Sequence, residues 1–223
     1  MDKPAGAFRH QVNKASLPVC PILGVQIAAI DMPWLLDFTR RNLKRLSGDY
    51  ICVSNVHTTV TAFQDPGYMQ VQNGGILAIP DGGPLSTTGR RRGFRAMRRV
   101  TGPDYMQQAI AAGISQGWRH YFYGSTPETL EKMEQNLRAR YPGIEIAGTF
   151  SPPFRPMTED EEQALQKELW EKQPDFLWVG LGAPKQEIWM HDHQGKVPGL
   201  MVGVGAAFDY AAENIYRAPD WMQ

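Results

Sequence analysis

The sequence predicts an α/β fold, a mostly parallel sheet with helices on both faces, organised as a single domain. Three observations predict it. Apolar runs of strand length alternate with helix-period segments at least four times along the chain. Several of those runs stop abruptly at glycine or at one polar residue, as buried strands do where the backbone turns out of a sheet. With 223 residues, 42% hydrophobic and 21% charged, the chain suits one domain with a substantial core.

Taken in order, Met1 to about Pro18 is polar and aperiodic, and residues 1–20 read as a flexible arm before a folded domain at 21–223. Val19 to Ile30 is apolar and broken by Pro21 and Gly24, the pattern of a short strand or hairpin. Asp31 caps a helix reaching Leu46, with Trp34, Leu35 and Phe38 at helical spacing. Tyr50 to Val53 is a strand. A helix follows toward Gln72, interrupted or kinked at Pro66-Gly67, and Asn73-Gly74-Gly75 is a turn. Ile76 to Pro80 is a strand, and Asp104 to Gly117 a helix. His120 to Tyr123 is a strand followed by a Thr126-capped helix with Pro127 at its first position and Leu130, Met133 and Leu137 inward. Ile144 to Gly148 is a strand and Phe150 to Pro156 a proline-rich loop. Thr158 and Glu161 form a capping box opening a helix with Ala164, Leu165 and Leu169 inward. Asp175 to Val179 is a strand, a helix runs to about His193, and Gly199 to Val204 is the last strand.

Composition narrows the function. The 23 basic and 23 acidic residues cancel, so no global field draws the protein to nucleic acid. Cys20 and Cys52 form no disulfide framework or paired metal motif, which suits a reduced, cytosolic compartment. No apolar run is long enough to span a bilayer, and the N-terminus has no signal-peptide core. The charge that is concentrated lies in Ser86 to Thr101, where Arg90, Arg91, Arg92, Arg95, Arg98 and Arg99 have no acidic neighbour. It reads either as a solvated face or as a mobile basic flap over a phosphate-bearing ligand.

The candidate site follows from topology. Carboxyl ends of parallel strands open onto a ligand crevice, and Asn55, Asp81, Gly124, Gly182 and Gly205 all follow such ends. Ile76 to Pro80 delivers Asp81, followed by Gly82-Gly83-Pro84. A carboxylate there can take a proton from a substrate hydroxyl; the same residue could instead cap the turn or the next helix. Gly180-x-Gly182 and Gly203-x-Gly205 permit close backbone approach, yet neither completes a dinucleotide fingerprint, which disfavours a Rossmann-type oxidoreductase, and no Walker motif is present. Gln186 offers an amide for sugar hydroxyls beside Lys185 and Glu187. Phe208-Asp209 could present a ring and a carboxylate, or be a core Phe with a capping Asp. There is no Asp-x-Asp metal pair, and the consecutive residues His191-Asp192-His193 do not share a helix face, so no metal is expected. No nucleophile elbow or activated cysteine is recognisable. These features suit group transfer from a nucleotide-activated donor without a covalent enzyme intermediate.

Six motifs then occur in order: Asn55-Val56-His57-Thr58, Pro80-Asp81-Gly82, Arg99-Val100-x-Gly102-x-Asp104, Gly182-Ala183-Pro184-Lys185-Gln186-Glu187, Gly203-Val204-Gly205-Ala206-Ala207-Phe208-Asp209 and Arg217-Ala218-Pro219. From about Pro21 onward the chain resembles the WecG/TagA/CpsF glycosyltransferases (family 26), in an exopolysaccharide-type form. The resemblance implies a Rossmann-like fold. It also implies an inverting, cofactor-free and metal-independent transfer of N-acetylmannosamine or glucose from a UDP-sugar to a polyprenyl-diphosphate-linked acceptor. The setting would be the cytoplasmic membrane face, in cell-wall or exopolysaccharide synthesis. The implied catalytic residues are Asp81 as base and Gln186 as catalytic or sugar-positioning residue. Substrate contacts fall on Asn55, His57, Thr58, Gly82, Arg99, Asp104 and Arg217. Nucleotide contacts fall on Gly124, Ser125, Gly180, Gly182, Lys185, Glu187, Gly203, Gly205, Phe208 and Asp209. Three departures stand out: Pro84 replaces a glycine of the Asp-Gly-x-Gly pattern, Pro152-Pro153-Phe154 replaces a Gly-Tyr-Phe segment, and the basic amphipathic tail of relatives does not follow Gln223. Loss of that tail leaves open a catalytically inactive nucleotide-sugar-binding protein, and self-association that covers apolar faces.

Overall fold

The computed structural model describes residues 10–216, so Arg217 and its Ala-Pro partners lie outside the described residues. The chain begins with a hairpin, β1 (Val19–Ile22) and β2 (Val25–Ala28), closed by Leu23-Gly24. Both turn residues have positive φ, as a two-residue turn matched to strand twist requires. There follow α1 (Met32–Asn42), β3 (Tyr50–Ser54), α2 (Val56–Gln64), α3 (Pro66–Gly74), β4 (Leu77–Pro80), α4 (Gly83–Arg91) and α5 (Gly102–Gly113). The second half comprises β5 (Arg119–Gly124), α6 (Pro127–Arg140), β6 (Glu145–Phe150), α7 (Glu159–Lys172), β7 (Phe176–Gly180), α8 (Lys185–Asp192), β8 (Leu200–Gly203) and α9 (Ala207–Ala211).

Among the described residues, eight strands join one sheet in the order β1-β2-β4-β3-β8-β7-β5-β6, antiparallel only within the first hairpin. Alternating side chains of each inner strand enter two cores, one on each face. Ile51, Val53, Phe122, Trp178 and Val202 meet Leu35 of α1, Met106 of α5 and Met133 of α6. Cys52, Tyr121, Val179 and Met201 meet Val71 of α3, Leu165 of α7 and Met190 of α8. Both cysteines are free and buried.

The helix starts follow the predicted chemistry. Asp31 accepts from the Trp34 amide, Thr126 from that of Thr129, and Thr158 and Glu161 close the predicted capping box. Three details differ. Residues 56–74 form two helices, because Asp65 turns its side chain to the Gly67 and Tyr68 amides and Pro66 opens a new helix. Ala164 is exposed, leaving Leu165 and Leu169 as the inward face of α7. The arm is docked from His10 onward: Val12 is buried, His10 pairs with Asp49, and the Lys14 ammonium donates to the Asn73 and Gly75 carbonyls.

Candidate active site

The parallel strands all deliver their carboxyl ends to one side of the molecule. After β5 the chain leaves toward β6, and after β7 it leaves the opposite way toward β8, so a crevice opens between them. Two adjoining clefts occupy this side. The smaller, about 420 Å³, is walled by Asn55, Thr58, Asp81, Arg99, Thr101, Gln186 and Tyr210. The larger, about 850 Å³, is walled by Ser125, the 152–157 loop, Gly180, Lys185, Trp189 and Asp209. Gly182, Gly205 and Ala206 line both and form a common floor.

Asp81 sits just past β4 on the smaller cleft. Its amide donates to the Ser54 carbonyl at 2.8 Å, which ties it to the end of β3. Arg99 braces it from the far side: Nε donates to the Asp81 carbonyl at 2.7 Å, and a terminal guanidinium nitrogen lies 3.8 Å from Oδ1. Asp81 does not cap the following helix, since the N-cap of α4 is Gly82 and no side chain caps that helix. Pro84 falls within the first turn of α4, where a missing N–H costs nothing. The Asp81 side chain remains about a quarter exposed, enough for a hydroxyl to reach it.

Asn55 and Thr58 close a reciprocal capping box at the start of α2 while lining the same cleft. Gln186 is almost fully buried at the clefts' junction. Its Oε1 accepts from the Gly182 amide at 3.2 Å and the Gly205 amide at 3.1 Å, and its Nε2 donates to Glu187 Oε1 at 2.9 Å. Gln186 therefore clasps the glycine loops after β7 and β8 together.

Several predicted contacts are placed elsewhere. Phe208 is buried in the core edge-on to Phe122 and fills the space above Gly180, so the core reading of that ring is the right one. Glu187 is fully buried and points away from the larger cleft, toward Gln186 and Tyr68. Gly124 is buried at the β5–β7 seam, where any Cβ would meet the Gly180 carbonyl at 2.5 Å. His57 is exposed on the first turn of α2 and does not line either cleft. Asp104 accepts from the Thr101 hydroxyl at 2.7 Å in the α5 cap, behind the wall that Thr101 presents. Gly82 borders Asp81 without lining either cleft. Gly180, Gly182, Gly203, Gly205, Ser125, Lys185 and Asp209 do line the clefts. Arg217 is outside the described residues.

Sequence reasoning missed Thr101 and Tyr210. Thr101 stands inside the Arg99–Asp104 motif, and Tyr210 follows Phe208-Asp209, so each was one position from a recognised signal. The arginine segment is anchored rather than flap-like: Met97 is buried, the Arg98 amide donates to the Ile30 carbonyl, and the Val100 amide to that of Pro80. His191 contacts the Tyr50 hydroxyl and His193 pairs with Glu162. Among the described residues no three His, Cys, Asp or Glu side chains converge as a metal site would require.

Known proteins resemble this chain over most of its length. The N-acetylglucosaminyldiphosphoundecaprenol N-acetyl-β-D-mannosaminyltransferase of Bacillus subtilis strain 168 is 26% identical over 176 residues, 78% of this chain and 67% of that protein. The protein of the same name from Bacillus spizizenii is 27% identical over 181 residues, 81% of this chain and 68% of its own length. Residues 20–223 match the model of the glycosyl transferase WecG/TagA/CpsF family. A match over nearly the whole chain shows that it belongs to the WecG/TagA/CpsF family of glycosyltransferases.

Proposed function

We propose that this glycosyltransferase moves a hexose of the N-acetylmannosamine or glucose type from a UDP donor to a polyprenyl-diphosphate-linked sugar, with inversion and without a metal. The observation that carries the reading is the position of Asp81. It stands on the cleft whose floor is shared with a second cleft large enough for a nucleotide. In the reaction, the acceptor hydroxyl loses its proton to the Asp81 carboxylate and attacks the anomeric carbon as UDP leaves from the opposite face. Arg99 keeps that carboxylate oriented. Lys185 lies on the larger cleft at the first turn of α8, where its charge and the helix N-terminus favour a departing diphosphate. The two Bacillus relatives are named for a polyprenol-linked acceptor, which supports the acceptor class. Such an acceptor places the enzyme at the cytoplasmic membrane face in cell-wall or exopolysaccharide synthesis. Among the described residues no helix is long and apolar enough to cross a membrane.

The test is a donor panel of UDP-glucose, UDP-N-acetylmannosamine, UDP-glucuronate and GDP-mannose with a short polyprenyl-diphosphate-sugar acceptor, in chelator. One UDP donor is expected to be consumed, and Asp81→Asn is expected to lower kcat by roughly 100-fold or more with UDP affinity retained. Undiminished transfer in the variant removes Asp81 as base. No transfer from any donor, with UDP still bound, favours the inactive binding protein, and a requirement for added metal removes metal independence.

A further inference from the structure

Glu187 presents a buried carboxylate that the reaction above does not use. It is fully buried, with no cation paired to it among the described residues, and burial pushes its carboxyl above the usual range. Such a group needs hydrogen-bond donors to be tolerated at all. Besides its own backbone amide, two side chains donate to it, Tyr68 and Gln186.

One line begins on β3, in the residue whose carbonyl holds the Asp81 amide. The Ser54 hydroxyl donates to Gln72 Oε1 at 2.7 Å, Gln72 Nε2 donates to the Tyr68 hydroxyl at 2.9 Å, and that hydroxyl donates to Glu187 Oε2 at 3.2 Å. The other begins at the cleft floor. The Gly182 and Gly205 amides donate to Gln186 Oε1, and Gln186 Nε2 donates to Glu187 Oε1 at 2.9 Å. An amide has a donor end and an acceptor end, and only its partners decide which end points where. The carboxylate accepts through both oxygens, so it draws the Gln186 Nε2 to itself and leaves Oε1 for the two glycine amides. A reversed amide would aim its N–H groups at two N–H groups.

We infer that Glu187 is a positioning residue: by fixing the orientation of the Gln186 amide, it sets the separation of the two glycine loops on which the donor nucleotide rests. The nucleotide part rests on the transferase reading; the loop part does not. The two arms differ in stiffness. The Tyr68–Gln72–Ser54 arm ends on a hydroxyl that can rotate and reverse the line, whereas the Gln186 arm ends on backbone amides that cannot. A glutamine at 187 can therefore keep accepting from Gln186 while the other arm reverses. A methionine of similar size cannot accept strongly from either.

The experiment compares native protein, Glu187→Met and Glu187→Gln by amide hydrogen exchange, UDP titration and thermal unfolding. In Glu187→Met, exchange at the Gly182 and Gly205 amides is expected to accelerate roughly tenfold while Leu177 and Met201 keep native rates, and UDP binding to weaken by about the same factor. Glu187→Gln is expected to restore both. A folded Glu187→Met with native exchange at the two glycines overturns the inference. So does a Glu187→Gln as impaired as Glu187→Met, since charge and not acceptance would then matter. If exchange responds as expected but native protein binds no UDP, the donor reading fails and the positioning role stands.

Discussion

His120 shows what burial does to a single titratable residue. It lies inside the sheet beside the stacked rings of Phe176 and Trp178, and its Nδ1 accepts from the Trp178 indole at 3.1 Å. Desolvation lowers its pKa from 6.5 to about 3. Between those values the unfolded chain takes up a proton that the folded protein refuses. Stability is therefore complete above the unfolded value and declines as pH falls toward the folded one, by about 1.4 kcal/mol per pH unit from this residue. Urea unfolding at stepped pH is expected to show a shallower acid limb in His120→Gln; equal slopes would rule the histidine out as the cause. The residue scale is also where the sequence was least complete. Asp81 was legible because an apolar run ended on a lone carboxylate. Glu187 and Phe208 were not, because a motif beside a glycine loop marks closeness to a site without saying which side chains turn inward. That choice belongs to the packing of α8 against α3 and of α9 against the sheet.

At the scale of elements, the strands were readable to within a residue or two, because uninterrupted apolar runs between glycines leave little freedom of assignment. The break between α2 and α3 was readable as a kink and became a full break through Asp65, whose side chain offered the second helix a cap. The docking of residues 10–18 was not readable, since their anchors, Asp49, Asn73 and Gly75, are distant in sequence. The seam between β5 and β7 rests on Gly124, at φ +126° and against the Gly180 backbone. Gly124→Ala is expected to lose about 1–3 kcal/mol from the backbone conformation alone, with more from the contact at Gly180. A lowered urea midpoint at unchanged m-value checks this, and an unshifted midpoint contradicts it.

Over the whole molecule, a chain of zero net charge carries six exposed arginines between Asp81 and Asp104 with no carboxylate among them. Arg90, Arg92 and Arg98 donate to backbone carbonyls, which satisfy their hydrogen bonds without cancelling their charge. The segment ends at Arg99 on the smaller cleft, so it gives the rim of that cleft a positive face. If that face meets the bilayer, Arg91→Glu combined with Arg95→Glu should weaken binding to phosphatidylglycerol vesicles at least about tenfold, and leave transfer to a short, water-soluble acceptor unchanged. Equal vesicle binding by both proteins would exclude the role. The common floor of Gly182, Gly205 and Ala206 carries a kinetic consequence. Two clefts that meet on the loops after β7 and β8 hold their ligands side by side on shared ground. In the direct transfer proposed above, donor and acceptor must be aboard together, and whatever shifts those loops for one ligand is felt by the other.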